Sequence, residues 1–157
     1  MTMLVREVTA EDAGALAQLA TQLGYPAQSS QITRRMQALA RERSSVMAAV
    51  VDGSVVGWIH VKVYDTILVD DAAEIVGLVV DEHWRGQHIG QALLRAAEAW
   101  AVERGCATVH VRSNVVRHGA HRFYLQNGFQ QVKTSLTFAK TLTQLNHGDT
   151  QGTKRTQ

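Results

Sequence analysis

The run from Ala73 to Arg104 constrains the chain most. Residues 73–80 are nearly all apolar and read as a strand buried on both faces. Gly77 inside it signals a bulge or a close backbone approach. The strand continues into Val79-Val80-Asp81-Glu82-His83-Trp84-Arg85-Gly86-Gln87-His88-Ile89-Gly90-Gln91-Ala92-Leu93-Leu94, which reads as a strand end, a tight turn and the first turn of a helix. That helix, from about His88 to Arg104, sends Leu93, Leu94, Ala97, Trp100 and Ala101 inward and stops at Gly105. Such a unit needs a sheet layered against helices. It is also an anion site. The first N–H groups of a helix lack internal partners, and its N-terminal end carries roughly half a positive charge. Glycines admit a ligand close to the backbone. A phosphate-bearing ligand across residues 85–91, with Arg85 in reach of it, is the first reading.

The glycine spacing narrows the ligand. A P-loop needs Lys followed by Ser or Thr after its second Gly, but Gln91-Ala92 follows Gly90. The three glycines of a dinucleotide fingerprint are also missing. Arg85 and Gly90, after a Val-rich strand end, resemble the acyl-CoA pyrophosphate loop of the GCN5-related N-acetyltransferases, the GNAT superfamily. His88 stands where that pattern has its inner glycine. A second segment, His121-Arg122-Phe123-Tyr124-Leu125-Gln126-Asn127-Gly128-Phe129, resembles the family's other signature, an aromatic-Tyr pair followed by Gly-Phe. The two segments stand in the family's order.

The rest of the chain reads as elements of one domain. Leu4 to Val8 alternates as a strand, and Thr9 with an acid three residues on starts a helix with Ala13, Leu16, Ala17, Leu19, Ala20 and Leu23 inward. Gly24-Tyr25-Pro26 ends it. Ser29 or Ser30 caps a second helix bearing Ile32, Met36, Leu39 and Ala40, with Arg34, Arg35, Arg41 and Arg43 on its other faces. Ser45 to Val51 and Ser54 to Tyr64 form a hairpin about Asp52-Gly53. In the second strand, Val55, Gly57, Ile59, Val61 and Val63 share one face. Ala107 to Arg112 is a strand, and Arg117 to Gln126 a helix. Phe129 to Val132 and Thr134 to Lys140 form a closing hairpin. The order β-α-α-β-β-β-α-β-α-β-β is a mixed α+β layer fold. Residues 1–142 form a single domain and 143–157 a polar, disordered tail.

Composition excludes other classes. The 157 residues are 45% hydrophobic, enough for a core. With 16 basic against 14 acidic residues the net charge is +2, which does not argue for nucleic acid as a partner. One cysteine, Cys106, allows no internal disulfide framework. No apolar run approaches the roughly 20 residues that span a bilayer, and no signal-peptide pattern opens the chain. A cytoplasmic protein without membrane or nucleic-acid partners is expected, and a homodimer stays open.

The resemblance implies a twisted, mostly antiparallel sheet with a splayed central strand pair and helices on both faces. It implies direct acetyl transfer from acetyl-CoA to an amine of a small molecule or peptide in a ternary complex. Leu78, Val79 and Val80 then pair with the pantetheine arm. Arg85, Gly86, Gln87, His88, Ile89, Gly90 and Gln91 hold the pyrophosphate, and Asn114 touches CoA. If His88 lies in the first helical turn, its φ is negative, its side chain is tolerated and CoA binding survives. Tyr124 is the general acid toward the departing sulfur, since a phenol donates to a thiolate. Glu74 is the candidate base, with His110, His118 and His121 as weaker ones. Cys106 has no activating partner by spacing, so it is not read as an acyl-carrying nucleophile. No histidine pair has metal-ligand spacing with a third ligand, so no metal is expected. Asp65, Asp70, Asp71 and Glu74 could attract a cationic acceptor. The competing readings are a non-catalytic acyl-CoA-binding regulatory module and a protein-interaction domain on the same fold.

Overall fold

The computed structural model describes residues 2–113 and 117–143. Asn114 and residues 144–157, which include most of the expected tail, lie outside the described residues. Five strands, β1 (Met3–Glu7), β2 (Ser44–Val51), β3 (Ser54–Tyr64), β4 (Ala72–Val80) and β5 (Thr108–Val111), form one sheet in the order β1-β2-β3-β4-β5. The first three pairings are antiparallel and β4–β5 is parallel. A parallel pair needs a crossover. Helix α3 (Ile89–Glu103) supplies it, after α1 (Ala13–Leu23) and α2 (Ser29–Gln37) and before α4 (His118–Gln126). This is the expected α+β fold.

Alternation along the strands builds two layers. Met47, Ala49, Ile59, Val61, Ala73 and Ile75 pack on one face against Ile89, Leu93, Leu94, Ala97 and Trp100 of α3. Burying each large aliphatic side chain there stabilises by roughly 1.5–3 kcal/mol. The other face carries Trp58, whose indole N–H donates to the Leu16 carbonyl of α1 at 3.3 Å. β1 is tied to the start of α1 by Arg6, which donates to both Asp12 oxygens at 2.8 and 3.0 Å. That bond to Arg6 is the main cause that holds the buried Asp12 carboxyl below its ordinary value. Asp52 and Gly53 both have positive φ, as the β2–β3 turn requires.

Four expectations are corrected. Gln28, not Ser29 or Ser30, is the cap of α2, and its N–H is satisfied by Gln31 Oε1 at 2.9 Å. The β2–β3 register slips between Ala49 and Val50, so Val56 rather than Val55 enters the core. β4 is not buried on both faces throughout, because Val76 is 43% exposed. The closing hairpin is absent: residues 129–143 form no strand. No Gly, Asn, Asp or Pro occurs in residues 129–145, so the strongest turn formers are missing there.

Candidate active site

The sheet opens at one point. β3 pairs with β4 as far as Val80, but β5 pairs with β4 only through Ile75. Residues 76–80 therefore have no partner on the β5 side among the described residues. The same level holds an irregularity. His60 opposes Gly77 while Val61 opposes Ile75, which leaves Val76 as the extra residue of a bulge. Gly77 is required there, since a Cβ on it would stand 2.7 Å from the Trp58 ring. The bulge expected at Gly77 falls on its neighbour Val76, and the close approach is made by the Trp58 side chain rather than by backbone.

Three segments converge on this fork. A short 3₁₀ turn, Glu82–Trp84, leads from β4 into an exposed loop, 85–88, and Ile89, 1% exposed, anchors α3 in the core. A Cβ on Gly90 would lie 3.3 Å from Phe123 and 3.7 Å from Val80. The loop, the end of β4 and α4 thus meet at one glycine. Gln91 donates to Asn127 at 3.2 Å, and Asn127 donates to the Phe123 carbonyl at 2.8 Å, which ties α3 to the end of α4. Tyr124 packs edge-on against Phe123 and Phe129, with ring centroids 5.4 and 5.5 Å away. Burial pushes its phenol above the ordinary value, against a smaller pull from Arg117.

His88 departs from expectation. It is the cap of α3 with φ 64°, the left-handed region, and not a first-turn residue with negative φ. A glycine meets this geometry without strain.

The remaining residues divide into two groups. Glu74 opposes Lys62 of β3 and His110 of β5, and its carboxylate lies 3.9 Å from Arg112. His110 stacks on Tyr64. These polar groups share the face that bears Trp58. Leu78 packs on the core and Val79 is buried. Asn114 lies outside the described residues. His118 and His121 contact each other on α4. Cys106 packs against the core, and burial raises its thiol pKa, which disfavours a nucleophilic thiolate. Asp65 pairs with Arg43 and so is not a free anion. Among the described residues no three His, Cys, Asp or Glu side chains could hold a metal. No described helix is long and apolar enough to cross a membrane.

Sequence reasoning passed over His60. It lies opposite Gly77 across the β3–β4 pairing, and its Nε2 is buried with no partner among the described residues. Burial, and secondarily Lys62, lowers its pKa. The available signal was its place in the Trp58-x-His60-x-Lys62 alternation.

Comparisons with known proteins agree with this geometry. A model of the Acetyltransferase (GNAT) family matches residues 13–129. Aminoglycoside N(6')-acetyltransferase type 1 of Stenotrophomonas maltophilia is 29% identical over 143 residues, which cover 88% of this chain and 93% of that one. Aminoalkylphosphonate N-acetyltransferase of Salmonella typhimurium is 42% identical over 66 residues, which cover 42% of this chain and 43% of that one. Among solved structures, AAC(6')-Iy in complex with the bisubstrate analog CoA-S-monomethyl-acetylneamine superposes with a TM-score of 0.78 at 15% identity, over 90% of this chain and all of that one.

Proposed function

The chain belongs to the GNAT acetyltransferase family and is an N-acetyltransferase that uses acetyl-CoA, and from that premise we propose direct transfer of the acetyl group to an amine of a small cationic molecule. The observation that carries the reading is the convergence at Gly90 of the exposed loop, the unpaired end of β4 and the Phe123-Tyr124 turn of α4. Support for a small polyamine or aminoglycoside-like acceptor comes from the full-length likeness to an aminoglycoside acetyltransferase. The shorter match to an aminoalkylphosphonate enzyme keeps smaller amines in the test.

In this reading the loop N–H groups of residues 86–90 and Arg85 hold the pyrophosphate. The free backbone edge of Leu78, Val79 and Val80 pairs with the pantetheine arm, and one N–H there steadies the oxyanion. The neutral amine attacks the thioester carbonyl. Its C–N bond forms, the C–S bond breaks and CoA leaves as the thiolate. Glu74 takes the amine proton, directly or through water. Tyr124, neutral because burial raises its pKa, donates a hydrogen bond to the sulfur. A thiol near pKa 8.5 and a phenol above about 10 make complete proton transfer uphill. The phenol thus stabilises the leaving thiolate as a donor, and solvent supplies the final proton.

Thiol release from acetyl-CoA, measured against aminoglycosides, polyamines, aminoalkylphosphonates and peptide amines, tests the acceptor class. Acceptor-dependent thiol with a small cationic amine is expected. Turnover confined to peptide amines overturns the acceptor class, and CoA binding without turnover favours a regulatory module. Tyr124→Phe is expected to lower kcat about 10- to 100-fold with little change in KM. An unchanged kcat removes Tyr124 from the chemistry.

A further inference from the structure

We propose that Gln22 is a positioning residue for the donor: from the end of α1 it fixes the turn that leads into the pyrophosphate loop. The inference rests on the reading of residues 85–91 as that loop and is independent of the acceptor. Gln22 stands one position before the last residue of α1. Its Oε1 accepts the backbone N–H of Glu82 at 3.1 Å, across 60 residues of sequence.

Glu82 opens the 3₁₀ turn Glu82–Trp84, and every backbone N–H from Asp81 to Trp84 has a partner. Asp81 donates to the Val56 carbonyl at 2.8 Å, and Trp84 donates to the Asp81 carbonyl at 2.8 Å. His83 donates to the Asp81 carboxylate at 3.0 Å. These three bonds stay within the strand ends and the turn itself. The bond to Glu82 is the one that comes from a helix. Both Gln22 and Glu82 are exposed, so water could satisfy this N–H equally well. What the side chain adds is direction: it fixes how the turn leaves β4, and Arg85 follows the turn directly.

The fork needs such a brace. From Val76 to Val80, β4 is held along its β3 edge but has no β5 partner among the described residues. Helix α1 contacts β4 and supports this stretch from the Trp58 face. The Leu16 carbonyl holds the Trp58 indole, whose ring stands over Gly77 at the bulge. Val79 pairs with Trp58, shares its face and is 4% exposed. Gln22 lies about 9 Å farther along the same helix, at 1.5 Å per residue. One rigid helix thus ties the half-paired strand at its bulge and again just past its end. A loop already held in its binding geometry has less freedom to lose when the donor arrives.

Gln22→Met keeps the side-chain length and removes the acceptor oxygen. Titrating the full chain with acetyl-CoA, and with S-acetylpantetheine, which lacks the pyrophosphate, tests the proposal without an acceptor amine. In Gln22→Met the acetyl-CoA Kd is expected to weaken about fivefold, the size of one hydrogen bond. The S-acetylpantetheine Kd and the urea midpoint should stay as in the parent, and the Glu82 amide should exchange faster. Gln18→Met, an exposed change one turn earlier on α1, should bind acetyl-CoA as the parent does. Four results overturn the proposal: an unchanged acetyl-CoA Kd, equal losses for the two donors, the same loss in Gln18→Met, or a Glu82 amide that exchanges no faster. A parent chain that binds neither donor overturns the reading of the loop along with it.

Discussion

At φ 64° His88 occupies backbone space that costs most non-glycine residues about 1–3 kcal/mol. His88→Gly relieves that strain and loosens the unfolded chain, so a net gain of about 1 kcal/mol is expected in urea unfolding. The imidazole belongs to an exposed residue, and in the proposed site the loop acts through its backbone N–H groups, so the acetyl-CoA Kd is expected to change little. A wild-type Kd weaker than millimolar, restored by His88→Gly, would show that the side chain disables the loop. His60 presents the opposite case, an imidazole whose burial favours its neutral form. Its folded pKa lies below the 6.5 of the free side chain. The unfolded chain thus takes up a proton that the native state refuses. The stability this contributes is present above pH 6.5 and is lost as pH falls from there toward the folded pKa. The urea midpoint is expected to drop between pH 7.5 and 5.5, and less steeply in His60→Phe. Equal slopes in the two proteins would place His60 in water.

At the scale of elements, the fork rests on the fit of Gly77 beneath Trp58. The Trp58 ring is held by its bond to Leu16, so a methyl 2.7 Å from it cannot be absorbed by a small rotation. Gly77→Ala is expected to cost about 1–3 kcal/mol and to weaken acetyl-CoA binding by closing or skewing the opening. A variant as stable as the parent would show that Trp58 moves freely. The strands were legible because alternation and the Asp52-Gly53 turn are local signals. The limits of β3 are those read from the sequence. Val56 was not legible, because a register slip depends on the neighbouring strand. The conformation of His88 was not legible either: the sequence placed it at the helix start but did not show on which side of the first turn it falls. The hairpin failed for a related reason. A period of two identifies a strand and not its partner, and residues 129–143 pair with no strand among the described residues. Glu74 and Tyr124 were legible as residue types in matching segments. His60 was not, because its burial comes from packing across the sheet.

For the whole molecule, the fork joins parts that otherwise meet weakly. α4 is held to α3 by the Gln91–Asn127 contact and by Phe123 over Gly90, while β5 leaves β4 after four residues. A ligand lying along β4 and across the loop therefore bridges these parts and binds only the folded chain. Acetyl-CoA at 100 times its Kd is expected to stabilise the protein by about 2.7 kcal/mol, a rise in Tm of about 5–10 °C. Arg85 is exposed on the loop, so in the proposed site it can give a charge-assisted contact to phosphate without contributing to the core. Arg85→Ala should thus leave the Tm of the free protein unchanged. It should weaken binding about tenfold, which is about 1.4 kcal/mol and half the ligand-induced rise at the same concentration. Thermal scans of both proteins with and without acetyl-CoA measure this directly. The same rise in both would move the pyrophosphate off this loop, because family membership fixes the fold and the donor but not which of these side chains holds it.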